Sequence, residues 1–230
     1  MGFNKIRLVL YATFITNLFG FRLKKANSNE EMKRLRVEFS IAMLDKLNIN
    51  IITKGLENIP DDNSTYMLIC NHRSVIDPVI IERVFADSNI YGVWVAKKEL
   101  YNSPFFGNFT RNAGTILVDR ESKNMSGFFK DVKEAVREEK SIFIFPEGGR
   151  NKSDNTISEF KSGSQILAIK NKIQIIPVYI ETDAGKILKE TISDNSFKRD
   201  IVVNIAKPIS PRDKSISLED KYREIFQLNL

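Results

Sequence analysis

Short apolar runs rich in β-forming residues alternate with segments of helical periodicity over most of this chain of 230 residues. The predicted strands are residues 65–70, 90–96, 115–118, 141–145, 174–180 and 201–206. The predicted helices are residues 78–86, 125–136, 162–170 and a terminal helix from about Ser217, while the polar segment 181–200 is predicted to be a loop. This alternation indicates an α/β fold, so we predict a largely parallel central sheet with helices on both faces.

The first 50 residues depart from the alternation. Residues 8–21 carry no charge, and the basic residues on their two sides are Lys5, Arg7, Arg22, Lys24 and Lys25. The uncharged stretch of 14 residues is shorter than the roughly 20 residues that a membrane-spanning helix needs. No small-residue cleavage site follows it, so a signal peptide is not predicted. An amphipathic pattern at helical spacing then runs from Met32 to Leu47.

Two helices of this kind, with basic flanks, are typical of proteins that lie in a bilayer interface. We therefore predict an N-terminal pair of membrane-associating helices over residues 1–50, ahead of an α/β domain over residues 51–230. Two alternatives stay open at this point. In the first alternative, both helices only cover the core of the domain. In the second, the first helix extends into its flanking residues and spans the membrane.

The charge and the rare residue types narrow the classes of partner and cofactor. Lys and Arg number 35 against 29 Asp and Glu, a net charge of +6, which favours nucleic acid, a phosphorylated small molecule or an acidic membrane surface as partner. The basic residues are scattered among nearly as many acidic ones, so no nucleic-acid partner is predicted. One cysteine, Cys70, and one histidine, His72, exclude a disulfide framework and a His/Cys zinc cluster, and no metal is predicted.

His72 and Asp77 follow the predicted strand that ends at Cys70, so both fall in one strand-to-helix connection. A carboxylate at the Nδ1 atom of a histidine fixes the tautomer and leaves Nε2 free to accept a proton from a hydroxyl. The alternative is structural: Asp77 caps the next helix and Pro78 occupies its first position. Both roles are compatible, because a carboxylate accepts several hydrogen bonds.

The next strand ends carry candidate anion-binding residues. Arg120 follows Asp119 at the end of one strand, and a guanidinium offers a two-pronged donor for phosphate. Another strand leads into Phe145–Arg150 (FPEGGR), whose two glycines allow a ligand to approach the backbone closely. A surface ion pair and an ordinary turn are the alternatives for these two segments. Pro177, inside a predicted strand, indicates a sheet edge or a bend.

In this order and spacing, the strand-end motifs resemble those of the glycerolipid acyltransferase family. That family has an Asn-His-x4-Asp block, a Gly-led strand ending in Arg, a Phe-Pro-Glu-Gly-Thr/Ser-Arg block and a last apolar block with a central proline. The matching positions are Asn71, His72, Asp77, the segments 114–120 and 145–150, and Pro177. The resemblance covers about residues 55 to 180. One position departs from it, because Gly149 stands where the family has a hydroxyl side chain.

The resemblance implies transfer of a fatty acyl group from acyl-CoA or acyl carrier protein, as co-substrate, to a glycerolipid hydroxyl, without cofactor or metal. His72 is then the general base and Asp77 its orienting carboxylate. The implied substrate-binding residues are Arg120, Arg150 and the Gly148 amide for the acceptor phosphate, Glu147 for a glycerol hydroxyl, and Asn71 and Arg73 as further contacts. Lys97, Lys98 and Lys161 add positive charge near these positions or are simply solvated.

The implied acceptor is the lysophospholipid 1-acyl-glycerol 3-phosphate, and the product is phosphatidic acid. Glycerol 3-phosphate, another lysophospholipid and an aminolipid are the alternative acceptors. Because acceptor and product are lipids, the resemblance implies an enzyme at a membrane surface. The lack of a predicted cleavable signal and of a disulfide framework favours the cytoplasmic face. Two rival interpretations stay open: Cys70 as an acyl-carrying nucleophile, and a non-catalytic module that binds membranes.

Overall fold

One sheet of seven strands dominates the computed structural model, which describes residues 3–122, 124–213 and 216–228. The strands are β1 (Ile49–Lys54), β2 (Tyr66–Cys70), β3 (Gly92–Lys97), β4 (Ile116–Val118), β5 (Ser141–Ile144), β6 (Gln174–Ile180) and β7 (Arg199–Ile205). Their order in the sheet is β1-β7-β6-β2-β5-β3-β4. All neighbours run parallel except β6 and β7, so the predicted largely parallel α/β sheet is confirmed.

Helices cover both faces of the sheet. Those in the described part of the chain are α1 (Phe3–Leu23), α2 (Asn29–Lys46), α3 (Asp77–Val84), α4 (Gly107–Asn112), α5 (Ser126–Arg137), α6 (Gly163–Asn171), α7 (Ala184–Ser193) and α8 (Leu218–Phe226). Alternate side chains of β2 point to opposite faces. Leu68 and Cys70 join a hydrophobic cluster with α1, α2, α3 and α7, whereas Met67 and Ile69 join one with α5, α6 and α8. The two clusters together form the core.

Two features of the sequence-based prediction are wrong. The segment 181–200 is not only a loop, because it contains α7, whose first turn is capped by Asp183 Oδ1 accepting from the Lys186 N–H at 2.9 Å. Pro177 does not mark an edge, because β6 has neighbours on both sides. The strand does change its pairing at Pro177. Before the proline, Ile175 forms an antiparallel bridge with Ile209, and after it Val178 pairs with Ile205, so the antiparallel register shifts by one residue between them.

The helix α1 is apolar on both of its sides. Its inward residues Leu8, Ile15, Phe19 and Leu23 are buried in the core cluster with the sheet. Its exposed large apolar residues are Ile6, Val9, Leu10, Phe14, Leu18 and Phe21. Within the described residues, α1 is the one helix long and apolar enough to cross a membrane. An outward apolar face of this kind is consistent with membrane association.

The parallel strands set the position of the candidate site. β2 and β5 are direct neighbours, and β3 lies between β5 and β4. Because parallel strands end at the same edge of a sheet, the loops that follow β2, β4 and β5 all lie at its carboxyl-terminal edge. The predicted site residues are in these three loops.

Candidate active site

His72 and Asp77 form a hydrogen-bonded pair in the loop between β2 and α3. The His72 Nδ1 atom lies 2.8 Å from Asp77 Oδ2, so the Nδ1–H donates to the carboxylate and Nε2 carries the free lone pair. No described residue forms a hydrogen bond with Nε2. The His72 side chain keeps 17% of its surface exposed, whereas Asp77 keeps 1%. Asp77 is therefore buried in the protein, whereas part of the His72 imidazole is accessible to solvent.

The Asp77 carboxylate is fixed by the loop that it closes. Its Oδ2 atom also accepts from the backbone N–H groups of Arg73 and Ser74, both at 2.7 Å. The predicted capping role is wrong in detail, because Asp77 is the first residue of α3 and Ile76 is the capping position, with Pro78 next in the first turn. Asp77 binds the residues that precede the helix instead. The amino-terminal end of α3 favours the negative charge there.

Glu147 joins two loops of the site from a buried position. Its Oε1 accepts from the His72 backbone N–H at 2.5 Å, and its Oε2 accepts from the N–H of Ser158 at 2.7 Å and from the Ser158 hydroxyl. Burial raises the pKa of Glu147, and the hydrogen bonds from Ser158 and His72 oppose this effect. Both oxygens already bind protein donors, so Glu147 joins the two loops, and the contact to a glycerol hydroxyl stays a prediction.

The imidazole ring lies flat against an aromatic ring of the neighbouring strand end. The His72 and Phe145 centroids are 3.9 Å apart and the two planes differ by 9°. A second contact joins the same loops, since the Asn151 N–H donates to the His72 carbonyl at 2.6 Å. The position of His72 is thus set by its side chain, its N–H and its carbonyl together.

The glycine-containing turn brings Arg120 close to the β5 loop. A Cβ atom built at Gly149 would lie 3.8 Å from the Arg120 Nη1 atom. Arg120 and Arg150 are both exposed, and neither forms a hydrogen bond or an ion pair with another residue of the described ranges. Gly148 has a φ of 73°, and its N–H donates to the Phe145 carbonyl at 3.0 Å. That N–H is therefore engaged within the turn, and the phosphate contact predicted for it stays a prediction.

Asn71 and Arg73 hold structural elements together. Asn71 Oδ1 accepts from the Ile180 N–H at 2.8 Å and its Nδ2 donates to the Ile180 carbonyl at 3.1 Å, so it ties the end of β2 to β6. The Arg73 guanidinium donates to the carbonyls of Asn155 and Thr156 and lies 3.5 Å from Asp183 Oδ2. The substrate contacts predicted for these two side chains have no support in this geometry.

The remaining candidates are either buried or on the surface. Cys70 is fully buried, and burial raises the pKa of its thiol well above the usual range, so it lacks the properties of a nucleophile. Lys98 pairs with Asp119, and Lys161 pairs with Glu159. Among the described residues, no three His, Cys, Asp or Glu side chains come together as ligands for a metal.

A largely parallel α/β sheet with a hydrogen-bonded histidine–carboxylate pair and two exposed arginines at its carboxyl edge is typical of enzyme domains whose active site lies in the loops that follow the strands. Residues 50–181 match the family model described as Acyltransferase, and the chain belongs to this family. The family resemblance predicted from the strand-end motifs is thereby confirmed.

Curated relatives cover the same region. The chain is 36% identical over 120 residues to a 1-acyl-sn-glycerol-3-phosphate acyltransferase of Helicobacter pylori, covering 52% of this chain and 49% of the relative. It is 30% identical over 171 residues to the Escherichia coli protein of the same name, covering 72% and 65% of the two chains. The chain thus spans about half the length of the first relatives that it matches.

A solved structure shares the fold. The crystal structure of the 1-acyl-sn-glycerophosphate acyltransferase from Thermotoga maritima superposes with a TM-score of 0.70 at 23% sequence identity. The match covers 97% of this chain and 93% of that chain. At this level of identity the likeness supports the fold alone.

Proposed function

We propose that this protein transfers a fatty acyl group from an acyl thioester to the free hydroxyl of 1-acyl-glycerol 3-phosphate, giving phosphatidic acid. The observation that carries the proposal is the His72–Asp77 pair, whose Nε2 atom is free and exposed at the edge of the sheet. The names of the relatives supply the acceptor, and membership of the Acyltransferase family supplies the class of reaction.

The reaction follows from the geometry of the pair. Nε2 of His72 removes the proton from the acceptor hydroxyl while that oxygen attacks the thioester carbonyl. An ester C–O bond forms and the C–S bond breaks, and the proton on His72 then passes to the leaving thiolate. Asp77 orients the ring and stabilises the imidazolium. General base catalysis of this kind contributes roughly 10²–10⁴-fold to the rate.

The acceptor phosphate binds at Arg120 and Arg150. Both guanidinium groups are exposed and without hydrogen-bond partners among the described residues, so a phosphate can take their donors without breaking an existing pair. The neighbouring Gly149 adds no side chain between Arg120 and the turn. The acyl donor is acyl-CoA or acyl carrier protein, and the chemistry calls for neither a metal nor a bound cofactor.

The membrane surface is the proposed site of action, on the cytoplasmic face. The exposed face of α1 is apolar, while its other face is buried in the protein, which supports a helix that lies along the bilayer interface. Basic residues at both ends of this helix match anionic lipid headgroups. Residues 1–50 are accordingly proposed as the membrane-associating part, and residues 51–230 as the catalytic part.

The activity is tested with the purified chain, one acyl-CoA and a panel of acceptors. We expect ester formation on 1-acyl-glycerol 3-phosphate, and His72→Ala should lower the turnover by roughly 10²–10⁴-fold with the same thermal unfolding curve. Cys70→Ser is the matched control, because it changes the neighbouring buried thiol and should retain the activity. Faster turnover on glycerol 3-phosphate or an aminolipid would change the proposed acceptor. Near-normal turnover in His72→Ala would overturn the mechanism.

Membrane association is tested by flotation with vesicles of phosphatidylcholine and phosphatidylglycerol. Replacing the exposed residues Leu10, Phe14 and Phe21 together by serine should move most of the protein out of the vesicle fraction. Phe197→Ser is the control, because Phe197 is 67% exposed and lies outside α1. Equal flotation of the triple variant and the wild-type protein would contradict the role proposed for α1.

A further inference from the structure

A second aromatic ring lies behind the one that contacts the imidazole. Trp94 in β3 is stacked with Phe145, with centroids 5.1 Å apart and planes that differ by 25°. Phe145 is in turn stacked on His72. The three near-parallel rings come from the end of β2, the end of β5 and the middle of β3. The hydrophobic pattern of the sequence gives no sign that they meet.

A buried carboxylate fixes the indole. The Trp94 Nε1–H donates to Glu82 Oε1 at 2.7 Å. Glu82 belongs to α3, the helix whose first residue is Asp77, and its side chain is 9% exposed. A buried carboxylate with a directed hydrogen bond restricts the indole to one rotamer.

An arginine from the amino-terminal helices fixes that carboxylate. The Arg36 Nε atom of α2 lies 3.1 Å from Glu82 Oε1, and the Arg36 side chain is only 2% exposed. Its Nη2 donates to the Gly92 carbonyl at 2.6 Å, two residues before Trp94 in β3. A buried charge pair is costly unless the surrounding groups satisfy it. The Gly92 carbonyl accepts from Arg36 Nη2 and the indole N–H donates to Glu82 Oε1, while Arg36 Nε contacts Glu82 as an ion pair without hydrogen-bond geometry.

The imidazole needs this support because one hydrogen bond sets only one of its atoms. The bond from Nδ1 to Asp77 fixes the distance at that nitrogen but permits the ring to tilt about it. A stacked ring fixes the plane, and with it the direction of the Nε2 lone pair. Phe145 is only half-buried and has no polar anchor of its own. Trp94, anchored by Glu82, supplies the fixed surface that Phe145 lacks.

We infer that Trp94 is a positioning residue for His72. Trp94 acts through Phe145, and Glu82 and Arg36 hold its indole in place. The inference rests on the proposed function, because it assigns Trp94 to the same general base. Misalignment of a catalytic group by a fraction of an ångström lowers turnover without weakening substrate binding. Trp94 therefore acts on kcat through Phe145.

The chain offers a direct readout, because His72 is its only histidine. The ring C–H signals in a spectrum of protein labelled with ¹³C-histidine therefore need no assignment. The Phe145 ring shifts them upfield, and Phe145→Leu defines the position of the signals without the stack. We expect Trp94→Leu to move them toward that position. Phe85→Leu is the control, because Phe85 is buried in the same cluster and does not stack on Phe145.

Kinetics test the same point. Trp94→Leu should lower kcat by about 10-fold and leave KM for donor and acceptor within about 2-fold, whereas Phe85→Leu should leave kcat near wild type. Trp94→Phe keeps a ring but loses the bond to Glu82, so it should recover part of kcat and show a smaller shift of the histidine signals. If Trp94→Leu does not fold, Trp94→Phe carries the test alone.

Two results would overturn the inference: histidine signals in the Trp94 variants at the wild-type position, or the same shift in Phe85→Leu. A change confined to KM would overturn it as well. The spectra require no substrate, so they separate this inference from the proposed function. If the histidine signals shift as expected but the protein transfers no acyl group, the proposed function is refuted while the positioning of His72 by Trp94 is retained.

Discussion

The loop after β2 and the two arginine-bearing loops lie at the same edge of the sheet but are built differently. In the first, the chain supplies most of the hydrogen bonds around the imidazole: Asp77 Oδ2 accepts from three donors and Glu147 accepts from three, although Asp77 Oδ1 has no partner among the described residues. In the others, Arg120 and Arg150 bind no other described residue and are exposed. The proposed catalytic pair, His72 and Asp77, is thus organised before substrate binds, whereas the arginines are left with donors for a ligand.

The largest effect is expected at Asp77. Asp77→Asn keeps an oxygen that can accept the hydrogen bonds of the loop but removes the negative charge that stabilises the imidazolium. Turnover should fall by about 10²–10³-fold, as measured by initial rates at saturating substrate. The melting temperature should change little. A variant that unfolds early would mean that Asp77 acts through the fold and not through the chemistry.

The free arginines should show the opposite pattern, an effect on binding. Arg120→Ala removes the two-pronged phosphate contact proposed above, so KM for 1-acyl-glycerol 3-phosphate should rise by about 10–100-fold. KM for the acyl donor should stay near wild type. Lys98→Ala serves as the control, because Lys98 is a nearby exposed cation already paired with Asp119. Equal changes in both KM values would count against a phosphate site at Arg120.

The hydrogen bonds that organise the loop after β2 are tested at Glu147. Glu147→Gln places an amide N–H₂ opposite either the His72 N–H or the Ser158 N–H. The unmatched donor should lower the free energy of unfolding by about 1–3 kcal/mol, measured by urea unfolding. Glu159→Gln is the exposed control in the same segment. If both variants unfold alike, the buried bonds of Glu147 contribute nothing measurable.

The wild-type protein and the Glu147→Gln variant should also differ in how their stability depends on pH. Burial raises the pKa of Glu147 above its ordinary value of 4.5, so the folded protein keeps this proton to a higher pH than the unfolded chain. The contribution of Glu147 to the free energy of unfolding therefore falls as the pH rises above 4.5. Glutamine does not titrate. The wild type should therefore lose part of its stability advantage over Glu147→Gln as the pH rises from 4.5 through the raised pKa of the folded protein. An advantage that grows with pH would contradict a raised pKa for Glu147.

The smallest effects are expected at the two glycines. Gly148 has a left-handed φ, and an added Cβ would lie 3.3 Å from Lys161 Cγ, so Gly148→Ala should cost about 1 kcal/mol of stability. The Gly149 backbone is not left-handed, and its Cβ would meet only Arg120 Nη1 at ordinary contact distance. Gly149→Ala should unfold like the wild type. Equal losses would show that both positions need glycine.

Much of the fold could be predicted, because strands and helices carry their own periodicity. β2 is apolar at all of its positions, which indicates a strand buried on both faces, and its Leu68 and Met67 lie in opposite cores. The prediction failed at α7, where an Asp183 cap and spaced apolar residues were present in a polar segment that was interpreted as a loop. It also missed β1, whose pairing partner β7 is about 150 residues away in sequence.

The candidate site was only half predictable. The residue types at the strand ends indicated where the chemistry lies, and the His72–Asp77 pair is a local contact across five residues. The partners of Glu147, Asn71 and Arg73 are distant in sequence, so no spacing predicted them. Ser158, Trp94, Glu82 and Arg36 were missed for the same reason.

The amino-acid sequence by itself determined the alternating elements, the carboxyl-edge location of the polar motifs and the pairing of a histidine with a nearby carboxylate. These depend on short-range periodicity and on the geometry of one loop. Only the tertiary structure decided which polar groups are bound and which are left free. The reason is physical: each buried donor and acceptor must find a partner, and packing of the whole chain selects which one it finds.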